Sequence, residues 1–122
     1  MNERLQVINH QGKKILLIDF SRLAGKDFLP LLDDIQKLIA KSPDGSLLTL
    51  ADFTDAQVDK TVATRMKEVL ALDRPHVKRS AWVGTEKLPK VFYENFKTFS
   101  QRDFPKFRTR EEAIDYLVAD QS

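Results

Sequence analysis

The chain has 122 residues, 42% of them hydrophobic, which is one domain's length and enough apolar material for a single core. It contains no cysteine, so disulfide frameworks, thiolate metal sites and thiol catalysis are excluded together. The formal net charge of +2 names no partner, yet from Arg74 to Arg110 ten basic residues stand against three acids, a balance of +7, while the rest sums to −5. No apolar run approaches the ~20 residues of a bilayer span, and the residues after Met1 lack a signal peptide's apolar region, so a cytoplasmic chain is expected.

Leu5 to His10 and Lys13 to Phe20 read as β-rich runs separated by Gln11-Gly12, a hairpin in which glycine supplies the positive φ of a tight turn. Ile15-Leu16-Leu17-Ile18 is apolar on both faces, as a central strand covered by helices on each side requires. Arg22 to Gly25 reads as a loop. From Lys26 the residues Phe28, Leu31, Leu32, Ile35, Leu38 and Ile39 recur at helical spacing, and Pro30 falls in the first turn, where its missing N–H costs little. Ser42-Pro43-Asp44-Gly45 stops that helix.

Leu47 to Ala51 is the next strand, and Val58, Val62, Met66, Val69 and Leu70 mark the stripe of a second helix with two open starts. Thr54 with Gln57 has capping-box spacing and favours Asp55; Asp59 equally caps a start near Lys60. Val77 to Val83 reads as an internal strand. The following helix places Leu88, Phe92, Phe96 and Phe99 on its buried side and leaves Tyr93 off it. Phe104 to Phe107 gives a short last strand, Thr109 with Glu112 caps a helix burying Ala113, Ile114, Leu117 and Val118, and the tail from Ala119 is expected to fray. The pattern predicts a single α/β domain over residues 1–122, core about 5–118: a mixed, mostly parallel sheet with an N-terminal antiparallel hairpin and helices packed on it.

In that layout the carboxyl ends of the strands gather Asp19, Ser21, Arg22, Asp52, Thr54, Thr85, Lys87 and the run Arg108-Thr109-Arg110 on one edge, where open α/β sheets place ligand and partner sites. Such groups bind a small anion or a peptide, and they equally serve as turn formers and helix caps. There is no GxSxG, HExxH, CxxC or phosphate-cradling glycine loop, and His10 and His76 are far apart. No catalytic residue, metal site or cofactor is therefore expected. The alternative is an electrostatic surface on residues 74–110 for a phosphate-rich ligand, a lipid headgroup or nucleic acid. Nucleic acid is disfavoured, because the phenylalanines interleaved with these cations fall at core positions, where rings cannot stack on bases.

The order of elements, with LLTLADFTDAQVDKT (47–61), VKRSAWVG (77–84) and FPKFRTREEAIDYL (104–117), resembles the STAS domain of bacterial anti-sigma-factor antagonists, particularly its divergent branch of small stand-alone proteins. The resemblance implies a non-enzymatic regulatory interaction or small-ligand-binding module with a protein partner, names a small anionic or lipid ligand as the other candidate, and leaves a homodimer open. In regulatory members an Asp followed by two hydroxyl residues and a glycine holds the residue that a kinase phosphorylates. Asp59-Lys60-Thr61-Val62 corresponds here, with Thr61 at the acceptor position and Lys60 and Val62 departing from the pattern. A helix starting at Asp55 would enclose Thr61; one starting near Lys60 would offer an added phosphate helix N–H groups and a cation.

Overall fold

In the computed structural model, which describes residues 3–119, β1 (Leu5–His10) and β2 (Lys13–Asp19) form the expected antiparallel hairpin. Gln11 and Gly12 both adopt positive φ, at 51° and 78°, the backbone whose twist matches the flanking strands. A 3-10 turn at Gly25–Asp27 leads into α1 (Phe28–Ala40), so the α-helix proper starts two residues after the expected Lys26, with Pro30 in its first turn. Then come β3 (Leu47–Asp52), α2 (Lys60–Asp73), β4 (Val77–Val83), α3 (Lys90–Ser100), β5 (Lys106–Phe107) and α4 (Arg110–Val118).

The sheet runs β1-β2-β3-β4-β5 in sequence order, antiparallel between β1 and β2 and parallel elsewhere. Right-handed crossovers between sequential parallel strands must all pass over one face. Accordingly α1, α2 and α3 pack on the side of Leu16, Ile18, Ala51, Phe53 and Trp82. Only α4, which has no further strand to return to, lies opposite, where Ala113, Leu117 and Val118 cover Ile15, Leu17, Leu48, Leu50, Ala81 and Val83. The alternation along Ile15–Ile18 thus serves both layers, as its double-sided apolarity requires.

One open choice is decided and two expectations are corrected. α2 starts at Lys60, because Asp59 is extended and its carboxylate accepts from the Val62 N–H at 2.8 Å, whereas Asp55 sits at φ +56° and cannot open a helix. α3 is rotated from its expected phase: Tyr93, Phe96 and Ser100 are buried, and Phe99 is 53% exposed beneath the Lys67 ammonium. Tyr93 gains the core position because its hydroxyl reaches the Phe104 carbonyl at 2.7 Å while its ring meets Trp82 edge-on. The last strand is two residues instead of Phe104 to Phe107, since Pro105 can accept from Trp82 N–H but has no N–H to extend the ladder upstream. The capping box of α4 is present, with Glu112 N–H donating to Thr109 Oγ1 at 3.1 Å. Beyond Ala119, the expected frayed tail lies outside the described residues.

Candidate functional site at the carboxyl edge of the sheet

The parallel register sets Asp19 beside Asp52 at the ends of β2 and β3. Each aspartate opens the same local turn. Asp19 Oδ1 accepts from the Ser21 N–H, and Asp52 Oδ1 accepts from the Thr54 N–H, both at 2.9 Å. The residue after each hydroxyl is left-handed, Arg22 at φ +57° and Asp55 at φ +56°, so Asp-Phe-Ser/Thr-X is one motif built twice. The two copies stay paired beyond the strands, through Phe20 N–H to Asp52 O and Arg22 N–H to Thr54 O, both 2.8 Å. Phe20 and Phe53 turn inward, their ring centroids 5.0 Å apart, and Phe53 continues onto Trp82 at 4.6 Å. Aromatic packing below thereby anchors the polar turns above.

A residue from the other face completes the arrangement. Arg110, the first residue of α4, donates from Nε and Nη2 to Asp52 Oδ2 at 2.9 and 2.7 Å, and its Nη2 lies 3.9 Å from Asp19 Oδ1. Arg4 closes the outer side, donating to the carbonyls of Asp19 and Ser21 at 3.0 and 2.9 Å. Asp52 also receives the Thr54 hydroxyl at 2.6 Å and is only 6% exposed. Burial pushes its carboxyl up, but the hydrogen bonds from Thr54 and Arg110 outweigh that and hold it below the usual carboxylate range. Both oxygens of this carboxylate are engaged, Oδ1 by Thr54 and Oδ2 by Arg110. It is a fastener between the sheet and α4.

Of the residues read from the sequence, Asp19, Ser21, Asp52 and Thr54 come together, with Arg22 paired through its backbone. Thr85 and Lys87 form a 3-10 turn after Gly84, and Lys87 Nζ reaches Asp55 Oδ1 at 2.7 Å across exposed surface. Gly84 sits at φ +68°, and a Cβ there would lie 2.5 Å from Thr54 N. Only glycine lets these loops approach so closely. Beside them Lys26, Asp27, Gln57, Asp59, Lys87 and Pro89 line an open groove of about 570 Å³. Among the described residues, no three His, Cys, Asp or Glu side chains gather as metal ligands, and no helix is long and apolar enough to cross a membrane. Arg110 belongs to the edge read from the sequence, but its pairing with Asp52 was not part of that reading. Its position at a helix start following the last strand placed it on this edge, but nothing in its local pattern names a partner 58 positions away.

No family model matches the sequence, and no curated protein matches it. Its architecture matches the crystal structure of an uncharacterized protein of the DUF3478 family with a SpoIIAA-like fold, from Shewanella loihica PV-4. The TM-score is 0.68 and the identity 19%, over 93% of this chain and 91% of that one. This chain has a SpoIIAA-like, STAS-like fold. In the SpoIIAA-like frame Thr61 is the second residue of α2 and is exposed. It borders a groove between α1 and α2 with Leu29, Asp33, Thr64, Arg65 and Glu68. There Arg65 Nη2 is held by Asp33 at 2.8 Å and by Gln36 at 2.7 Å.

Proposed function

We propose that this STAS-like chain is a non-enzymatic regulatory module that docks a protein partner on the loops following β2, β3 and β4. The observation that carries the reading is the doubled Asp-Phe-Ser/Thr turn. Its reactive groups are consumed internally, by Thr54 and Arg110, while its left-handed residues and Gly84 hold three loops in one rigid rim around an open groove. A preformed rim suits recognition, because little ordering entropy remains to be lost on docking. Lys26 and Lys87 against Asp27, Asp55 and Asp59 give the rim mixed charge, fitting a polar protein surface better than a single anion.

The phosphoacceptor reading of Thr61 belongs to this module. A helix starting at Lys60 puts a Thr61 phosphate at the positive end of α2, one turn from Arg65, whose guanidinium would have to choose between that phosphate and Asp33. Affinity capture with the tagged protein from native cells, read by mass spectrometry, tests both parts. A partner retained by wild type and lost with Lys26→Glu/Lys87→Glu supports the rim, and phosphate found on Thr61 supports the switch. A substrate-turnover screen that finds an activity abolished by Asp52→Ala would falsify the non-enzymatic reading.

A further inference from the structure

At the opposite end of the sheet, four cations converge with no ion pair to a described residue. Arg74, from the 3-10 turn after α2, Lys78 and Arg79 from β4, and Arg102 from the α3–β5 connection line a groove of about 290 Å³. Because β5 pairs only with Trp82 and Val83, the amino-terminal half of β4 has no neighbouring strand here, and the groove occupies that vacated edge. None of the four makes an ion pair with a described residue. Elsewhere Arg65, Lys87, Lys97 and Arg110 each have a carboxylate partner. The one acid lining the groove, Asp103, is 75% exposed and lies 3.9 Å from Lys97.

The two inner arginines are held in place without being neutralised. Arg102 donates to the Leu70 carbonyl at 3.0 Å and to Ser80 Oγ at 2.6 Å, with its guanidinium 4.8 Å from the Phe104 ring centroid. Arg79 donates to the carbonyls of Tyr116 and Ala119 at 2.9 and 3.2 Å and lies over the Tyr116 ring at 5.6 Å. A guanidinium has five N–H donors, so donors remain on both for a further acceptor. Burial brings Arg102 down to about 10, the pull of Asp73 opposes this, and the neighbouring Arg74 charge adds to it. Asp73 is a weak counter-ion in turn, since burial raises its own carboxyl to about 7. Converging like charges on fixed, partly buried arginines are costly unless an anion joins them.

We propose that this groove is a binding site for a small phosphate-monoester dianion, held by Arg79 and Arg102 from the inner wall and by Arg74 and Lys78 from the rim. The volume decides the size class: about 290 Å³ is at the small end of ligand pockets, the scale of a small ligand. The site lies apart from the rim proposed for protein docking and stands or falls independently of it.

The test is titration of the ¹⁵N-labelled protein with phenyl phosphate and with inorganic phosphate, at constant ionic strength set by chloride. Saturable shifts are expected at the Arg79, Ser80 and Arg102 amides. Arg74→Gln and Lys78→Gln, both at exposed positions that leave the fold intact, should each weaken binding about tenfold, the scale of one charged hydrogen bond. Lys90→Gln, an exposed cation of the same basic segment outside the groove, should leave binding unchanged. Absence of saturation overturns the proposal, as does an equal loss with Lys90→Gln. Binding of phosphatidate vesicles or of an oligonucleotide without binding of phenyl phosphate would assign the surface to a macromolecule and overturn it too.

Discussion

The two ends of the sheet treat charge in opposite ways. At the carboxyl end, Asp52 is satisfied by Thr54 and Arg110, and Lys87 by Asp55. At the amino end, Arg74, Lys78, Arg79 and Arg102 share a groove and none of them has an ion pair with a described residue, while Asp73 is buried at 3% exposure within the pull of Arg102. Polar residues at strand ends therefore divide into those used up in making the loops and those left with capacity for something else. The sequence motifs that attract the eye belong to the first kind.

Breaking the carboxyl end at its tightest contact should have the largest effect. Gly84→Ala puts a methyl group 2.5 Å from Thr54 N at a left-handed backbone, and a loss of about 3 to 4 kcal/mol is expected in urea unfolding. Asp73→Asn probes the amino end with the opposite sign. Its folded carboxyl, raised by burial against the pull of Arg102, His76 and Arg65, titrates at about 7 from an ordinary 3.8. Below the unfolded value both states are protonated and no penalty exists. As pH rises toward 7 the unfolded state ionises first and stability falls, levelling off above the folded value. Asp73→Asn should flatten that limb and gain roughly 2 to 3 kcal/mol at pH 8, measured by denaturation across pH.

Arg110→Ala should cost less, about 1 to 2 kcal/mol, because its side chain is 40% exposed and solvent screens part of the pair. The sign at Asp52 is the reverse of that at Asp73: a depressed carboxyl stabilises above its unfolded value and loses that contribution as pH falls through the folded one. Arg110→Ala should therefore shrink the acid-side loss. Lys87→Ala, which opens an ion pair between fully exposed groups, should leave the unfolding midpoint where it was. A large effect there would erase the distinction between the Asp52 fastener and the surface pairs around it.

Where one periodicity dominated, the fold was legible. Ile15–Ile18 announced a strand covered on both sides, Gln11-Gly12 a hairpin, and Thr109 with Glu112 a helix start, each because local sterics or hydrogen bonding leave few alternatives. Where two local solutions competed, tertiary contacts chose. Phe92, Tyr93, Phe96 and Phe99 support two phases of α3, and the Phe104 carbonyl selects the one that buries Tyr93. Thr54 has the spacing of a cap, yet Asp52 takes its hydroxyl and leaves capping to Asp59. The carboxyl-edge site was legible as a location but not as a state, since the partner that saturates Asp52 comes from Arg110 on the opposite layer. The amino-end groove was hidden more deeply. Its cations lay within the counted basic segment, but only the shortness of β5, enforced at Pro105, opens a space for them to meet.

Strand order carries a consequence for assembly. Every strand pairs with its sequence neighbour, so the sheet can be built strand by strand from the hairpin, each parallel step closing over a helical crossover. The second hydrophobic layer has no such gradual route. Ile15, Leu17, Leu48, Leu50, Ala81 and Val83 depend for their cover on a single nine-residue helix, the last element of the order. Arg110, gripping Asp52 at the first turn of that helix, is positioned to set its landing register, so the ion pair that looks like a site is also the latch that closes the molecule.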